Sequence, residues 1–516
     1  MKRRKFLQAT TILPFFAETV FGKNSSRVDR FDKNILRAFK DTGQRDFFYK
    51  PVDAWAADFI PLYDKEEFQL FYLLDWRDKE KHGEGTPWYR ISTRDFVNFT
   101  EHGQMIPRGT EKEQDLYVFT GSAIKANGQY HIFYTGHNPH LREQGKPEQG
   151  IMHAVSEDMV QWKKIPEHTF FAPADKYEPH DWRDAFVFWN EDAKEYNMLL
   201  AARFKTGIPR RRGLTALCTS KDLTKWEVRG PFYAPSLYFT HECPDLFKIG
   251  DWWYLLFSEF TDLVRTRYRM SRSLSGPWVL PERDDFDGHA FYAAKTASDG
   301  NNRFIFGWNP TRTGSKDNGT WNWGGNLIVH EIQQENNGEL TVRVPQTVSD
   351  AFRNKVDYSF ESGIENVRVG NDVMTLQAAG TFISALAGKT PTTCKINATI
   401  QFEKNTKECG LMLRCSDNME RGYYIKLEPK ENRLVFDMWP RDRSEVFNMI
   451  ELSRNIRLTA DTAVDMEVLI DGNKGVAYVN NIIAMSFRAY DITEGNWGVF
   501  ASQGPASFKD VSISTL

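Results

Sequence analysis

Residues 241–258 read HECPDLFKIGDWWYLLFS. The run at 252–257 (WWYLLF) is short, apolar and aromatic, the composition of a buried strand. Ile249-Gly250-Asp251 ahead of it is turn chemistry, so 245–247 and 253–257 are predicted to form a hairpin. Glu242 stands at the mouth of that hairpin, beside Cys243 and Pro244. A carboxylate among apolar neighbours is costly to ionise, so its pKa should rise, which suits a general acid near neutral pH. Taken alone, the same residues also read as an edge glutamate in a solvated turn, and the rest of the chain decides between the two.

Working outward, similar strands recur at 68–72 (FQLFY), 130–134 (YHIFY), 196–200 (YNMLL) and 303–307 (RFIFG). Most are followed by a unit of the form S-x-D-x-x-x-W: Ser92 to Phe99, Ser156 to Trp162, Ser220 to Trp226, and a degenerate copy from Ser271 to Trp278. The period is about 60 residues, longer than a WD40 blade but of the same kind. Helical periodicity is scarce. Repeated antiparallel sheets at this scale imply a propeller, and five strand copies imply five blades. A two-sheet sandwich is the competing reading, but it does not account for the recurring S-x-D-x-x-x-W.

The pattern changes near Asn336-Asn337-Gly338 and Pro345. From about Val356 alternating strands follow at 396–402, 410–414, 423–427, 434–438, 464–470 and 475–479, with turns such as 471–474 (DGNK) between them. The last strands are 497–501 and 511–513. This is a β-sandwich pattern. The fold class is therefore all-β, with a propeller over 36–345 and a sandwich over 356–516.

A chain of 516 residues is long for one domain, which agrees with that division. Net charge of −3 argues against nucleic acid as a partner. The N-terminus, KRRKFLQ followed by a modest apolar stretch to Gly22, is a secretory pattern, and Arg3-Arg4 before Phe6-Leu7 resembles a twin-arginine signal. Residues 1–22 are thus expected to direct export to a periplasmic or extracellular location. No stretch reaches 18 consecutive apolar residues, so no membrane span is expected. The five cysteines are scattered, which indicates neither a zinc site nor a disulfide framework. Cys409 and Cys415 could pair, but one cysteine stays free whatever the pairing.

No P-loop, H-E-x-x-H, nucleophile elbow or Rossmann fingerprint occurs. His137 and His140 share a loop but are weak evidence for a metal, and Arg210-Arg211-Arg212 reads as a solvated loop. Three carboxylates stand out, each at the head of a strand in a different repeat: Asp58 in WAADFIPLY, Asp184 in WRDAFVFW, Glu242 in HECPDLF. In a propeller the innermost strands converge on the axis, so carboxylates at equivalent ends would meet in one pocket. Two carboxylates facing each other across a sugar are the minimum equipment for glycoside hydrolysis.

These strings resemble glycoside hydrolase family 32, the β-fructosidases that include invertases, levanases and inulinases. The resemblance covers nearly the whole chain beyond the export segment, because that family is a five-bladed propeller followed by a β-sandwich. Its acid/base motif, E-C-P-D-L-F, is reproduced in full at 242–247. Its R-D-P motif corresponds to Arg183-Asp184-Ala185, and its F-S-G-S-A motif to Phe119-Thr120-Gly121-Ser122-Ala123. FYAAKT at 291–296 and Gly307-Trp308 are also family-like. The nucleophile motif W-M-N-D-P-N-G departs: here it is Trp55-Ala56-Ala57-Asp58-Phe59-Ile60-Pro61. A sugar-contacting glutamine at the end of the family's first aromatic strand is replaced by Leu73.

The resemblance implies retaining hydrolysis, with Asp58 as nucleophile and Glu242 as acid/base. It makes Asp184 an anchor for ring hydroxyls, kept ionised by Arg183. Trp55, Trp88 and Phe119 are candidate pocket walls as well as candidate blade core, and Ser122 and Arg183 complete the candidate substrate-binding set. The substrate is an oligo- or polysaccharide, and no metal or organic cofactor is required. Ala57 and Leu73 remove polar contacts to the ring, so plain fructosyl units such as those of sucrose should bind less well. Competing readings are an inverting arabinan- or xylan-type furanosidase on the same scaffold, a carbohydrate-binding propeller without turnover, and glycosyl transfer to another sugar.

Overall fold

In a computed structural model, which describes residues 46–361, 365–370, 373–441 and 451–516, the aromatic runs become the second strands of antiparallel meanders. One meander is Tyr117–Ala126, Gln129–His137, Gln149–Ser156 and Lys163–Lys164. The next is Tyr177–Asn190, Glu195–Phe204, Gly213–Ser220 and Glu227–Tyr233. The third is Glu242–Ile249, Trp252–Glu259 and Arg265–Ser271, the expected hairpin with one added strand; Gly250 takes the left-handed conformation at its turn.

The chain's first meander, Trp55–Asp64 through Thr100–Ile106, is fused with its later one, Tyr292–Ser298 through Leu340–Arg343, into one eight-stranded sheet. A ladder pair of Ala56 opposite Gly325 joins the two halves. Tyr254, Leu255, Leu256 and Phe257 are buried, so the apolar run is core on both faces, as its lack of alternation requires.

The S-x-D units are turns at the strand ends. In one, Ser156 Oγ accepts from the Met159 amide at 2.9 Å, and Asp158 accepts from the Val160 and Gln161 amides at 2.8 and 2.9 Å. The residue after the aspartate carries a positive φ in three copies: Phe96, Met159 and Leu223. Small polar side chains that satisfy turn amides make such a conformation affordable.

Two further sheets, of eight and six strands, account for the alternating C-terminal segment and enclose an apolar core around Trp497. The possible Cys409–Cys415 pairing is not formed: both thiols belong to the strand Glu408–Cys415, and all five cysteines are buried and unpaired. The sandwich sheets and the propeller-type meanders share a polar seam. Asp287 accepts from the Ser486 amide and hydroxyl at 2.7 and 2.6 Å and pairs with His330 at 3.0 Å. Arg488 donates to the carbonyls of Asn309 and Pro310 at 2.7 and 3.0 Å, beside the Ala56–Gly325 junction. Among the described residues no helix is long and apolar enough to cross a membrane. The proposed export segment 1–22 and the proposed start of the propeller at 36 lie outside the described residues.

Candidate active site

One backbone irregularity aims the site residues. Register shifts interrupt the pairing of Trp55–Asp64 between Ala57 and Ile60, of Tyr117–Ala126 between Phe119 and Gly121, and of Tyr177–Asn190 opposite Leu199 and Ala201. The same occurs in Glu242–Ile249 between Glu242 and Asp245, and in Tyr292–Ser298 between Tyr292 and Lys295. Each is a β-bulge in a meander's first strand, a device that re-aims one side chain; the one at Asp184 lies midway along Tyr177–Asn190 and not at the strand head expected from sequence. In four of them a non-glycine residue sits at positive φ: Asp58 (45°), Asp184 (62°), Cys243 (50°) and Ala293 (51°). Such conformations cost about 1–3 kcal/mol each and cluster where function demands them. In the remaining bulge Gly121 runs so close to the Phe133 carbonyl that a Cβ would collide with it.

The bulges bring the three carboxylates together. Asp184 accepts from the Cys243 amide at 2.9 Å, and the Cys243 thiol lies 4.0 Å from Asp58 and 3.8 Å from Asp184. Asp58 Oδ1 accepts from Trp308 Nε1 at 2.8 Å, while Oδ2 takes a short bond from the Thr120 hydroxyl. Glu242 accepts from the Tyr292 hydroxyl at 2.6 Å and from Arg183 at 3.1 Å. Arg183 is 3.8 Å from Asp184 and 2.7 Å from Asp181, so its nearer carboxylate partners are Asp181 and Glu242.

Burial pushes the Asp58 carboxyl up to about 7. The bonds from Thr120 and Trp308 lower it, but they do not offset desolvation and the charges of Asp184 and Glu242. Glu242 is also raised, chiefly by burial and by Asp184, against the opposing pull of Arg183. Glu242 is thus not alone: Asp58 resists ionisation as well, for the same reason. Desolvation likewise holds the Cys243 thiol well above its ordinary range, so it is a neutral neighbour.

The candidate pocket walls divide. Trp88 is fully buried against Phe71 and Tyr134 and is blade core, a correction to its reading as a wall. The Ser122 hydroxyl accepts from the Val187 amide at 3.0 Å, a tie between meanders. Phe119 is half-buried and stacks on His137 at 4.5 Å, immediately before Thr120. Trp55 is half-buried with Lys50 and Arg77 over its ring at 4.8 and 4.7 Å. His140 pairs with Glu84 at 3.0 Å instead of joining His137. Leu73 belongs to the apolar cluster of Ile60, Phe71 and Trp88, opposite the equally buried Ala57. Sequence reasoning gave no role to Trp308, Thr120 or Tyr292, although each lies in a string it had singled out.

A model of the glycosyl hydrolases family 32 N-terminal domain matches residues 49–343. The chain belongs to glycoside hydrolase family 32. Among curated members it is 29% identical over 238 residues to the sucrose-6-phosphate hydrolase of Vibrio alginolyticus, covering 42% of this chain and 46% of that protein. It is 23% identical over 342 residues to an insoluble beta-fructofuranosidase isoenzyme of Arabidopsis thaliana, covering 60% and 57%. The chain thus spans about half the length of these curated relatives. The sucrose-6-phosphate hydrolase structure from Lactobacillus gasseri superposes with a TM-score of 0.71 at 16% identity, over 92% of this chain and 93% of that one, a likeness of fold. The family 32 match contains all three carboxylates.

Proposed function

We propose that this chain is an exported, retaining glycoside hydrolase that cleaves fructosides or a related furanoside in oligo- or polysaccharides. Asp58 attacks the anomeric carbon, Glu242 protonates the leaving oxygen, and water then releases the sugar with Glu242 as base. Asp184, held by the Cys243 amide, receives ring hydroxyls. The carrying observation is the convergence of Asp58, Asp184 and Glu242 through equivalent bulges on three different strands. Binding alone would not require two carboxyls, Asp58 and Glu242, whose burial makes ionisation costly.

The reading includes a five-bladed propeller, supported by the recurrence of one bulge in five first strands, with the propeller over 36–345 and the sandwich over 356–516. It includes delivery by the twin-arginine-like segment 1–22 to the periplasm or beyond. The burial of Ala57 and Leu73 supports a substrate other than plain sucrose, since neither offers the ring a hydrogen bond. The test is hydrolysis of sucrose, inulin, levan and arabino-oligosaccharides, with NMR detection of the first anomer released. Retention on a fructan or decorated fructoside, with slow sucrose cleavage, is the expected result. Inversion, or cleavage of arabino-oligosaccharides alone, overturns it.

A further inference from the structure

Arg183 does not serve Glu242 alone. It spends one nitrogen on Asp181 Oδ1 (2.7 Å) and another on Glu242 and the Thr240 hydroxyl (3.1 and 3.0 Å). Asp181 Oδ2 lies 3.3 Å from Arg203 Nε, which donates to Glu178 at 2.9 Å; Glu178 in turn holds Arg212 at 2.6 Å. Glu242, Arg183, Asp181, Arg203, Glu178 and Arg212 thus form a chain of alternating charge from the pocket outward. It absorbs Arg212, the last of the three arginines that sequence alone assigns to a solvated loop. Arg203, 2% exposed, also fastens the segment leading into Glu242: it donates to the Phe239 carbonyl at 2.5 Å and lies 3.5 Å over the Phe239 ring.

We infer that Asp181 and Arg203 are positioning residues for Glu242, fixing how much of the Arg183 charge falls on the general acid. A guanidinium shared between two carboxylates stabilises the ionised form of each less than one devoted to either. Neutralising Asp181 turns Arg183 toward Glu242 and makes that acid ionise more readily. Removing the Arg203 charge leaves Asp181 unbalanced, draws Arg183 away, and makes Glu242 hold its proton longer. The other groups around Glu242 are Asp184, Asp58 and the Tyr292 hydroxyl, with Cys243 next in the strand, Lys295 on the Pro244 carbonyl and Glu259 behind Tyr292. None of them changes in the variants below.

This inference rests on Glu242 being the general acid, and the experiment separates the two. The pH profile of kcat/KM is measured on the oligofructoside cleaved fastest and on an aryl fructofuranoside, whose leaving group needs no proton. The alkaline limb that weakens on the aryl substrate belongs to the acid. Asp181→Asn should move that limb down by about one pH unit, a roughly tenfold loss of rate above it, and Arg203→Met should move it up. The double variant should return it near the wild-type position, and Arg203→Lys should leave it there. If no limb distinguishes the two substrates, the general-acid reading fails and the inference with it. If such a limb exists but the two single variants move it the same way, or lower activity without moving it, Asp181 and Arg203 are only structural and the inference is overturned. If Arg203→Met does not fold, Asp181→Asn decides alone: a limb that does not move down overturns the inference.

Discussion

Replacing Thr120 by valine removes one hydroxyl from a buried site and changes almost nothing else, since the two side chains have the same shape. The Thr120 side chain is 2% exposed and its hydroxyl is the donor to Asp58 Oδ2. A hydrogen bond to a charged group in such a setting is worth about 1.5–3 kcal/mol, or about 1–2 pKa units at 1.36 kcal/mol each. Asp58 already sits near 7, so the variant should place it near 8–9. About half of Asp58 is ionised at pH 7 in the parent and about 1–10% in the variant, by the same relation. Thr120→Val should therefore lose about 5–50-fold in kcat/KM against the parent at pH 7, close most of that deficit against the parent by pH 9.5, and shift the acid limb of the profile upward. Thr120→Ser, which keeps the donor, should stay near the parent. Steady-state kinetics across pH 5–10 tests this. An equal loss at every pH would show that Thr120 acts only on the direction of attack, and an unchanged profile would show that its bond does not reach the ionisation of Asp58.

Two further outcomes follow from burial. A carboxyl raised from 3.8 to about 7 in the folded state binds its proton more tightly there than in the unfolded chain, so its stability cost is absent below pH 4, grows between pH 4 and 7, and is complete above. Asp58→Asn should thus abolish turnover yet stabilise the fold by up to about 4 kcal/mol at pH 8 and by little at pH 4, as read by urea unfolding. A gain equal at both pH values would refute the assignment of that cost to Asp58. Trp88→Ala should cost about 3–5 kcal/mol of stability through its cavity; a large change in KM with stability intact would restore Trp88 to the pocket wall.

The strand content was legible because the aromatic runs lack alternation and the sandwich strands possess it. Residues 68–72 and 253–257 announce burial on both faces, while 464–470 announces one wet side. The carboxylates were legible because each stands in a distinctive string, although Asp184 lies midway along its strand. The bulges were not, since a register shift belongs to the pairing of two strands and leaves no mark on either one. For the same reason Trp88 passed as a pocket residue: an aromatic side chain at a strand start reads alike whether it faces a ligand or a neighbouring sheet. Trp308 illustrates the reverse case. Its indole N–H reaches a partner 250 residues away, which no local pattern encodes. The fusion of the first and last meanders through Ala56 and Gly325 is equally a matter of ring closure.

That closure sets a timetable. Asp58 is among the first described strand residues to be synthesised, but Thr120 follows 62 positions later, Cys243 185 and Trp308 250. Gly325, the residue that seats its strand against the far sheet, comes later still, and Arg488, which braces that junction, lies near the end. Pairings over such separations form slowly. A growing or truncated chain therefore carries Asp58 without the groups that bond to it. Under the proposed mechanism, competence waits for these late residues, and turnover is itself a report that the two halves of the sheet have joined.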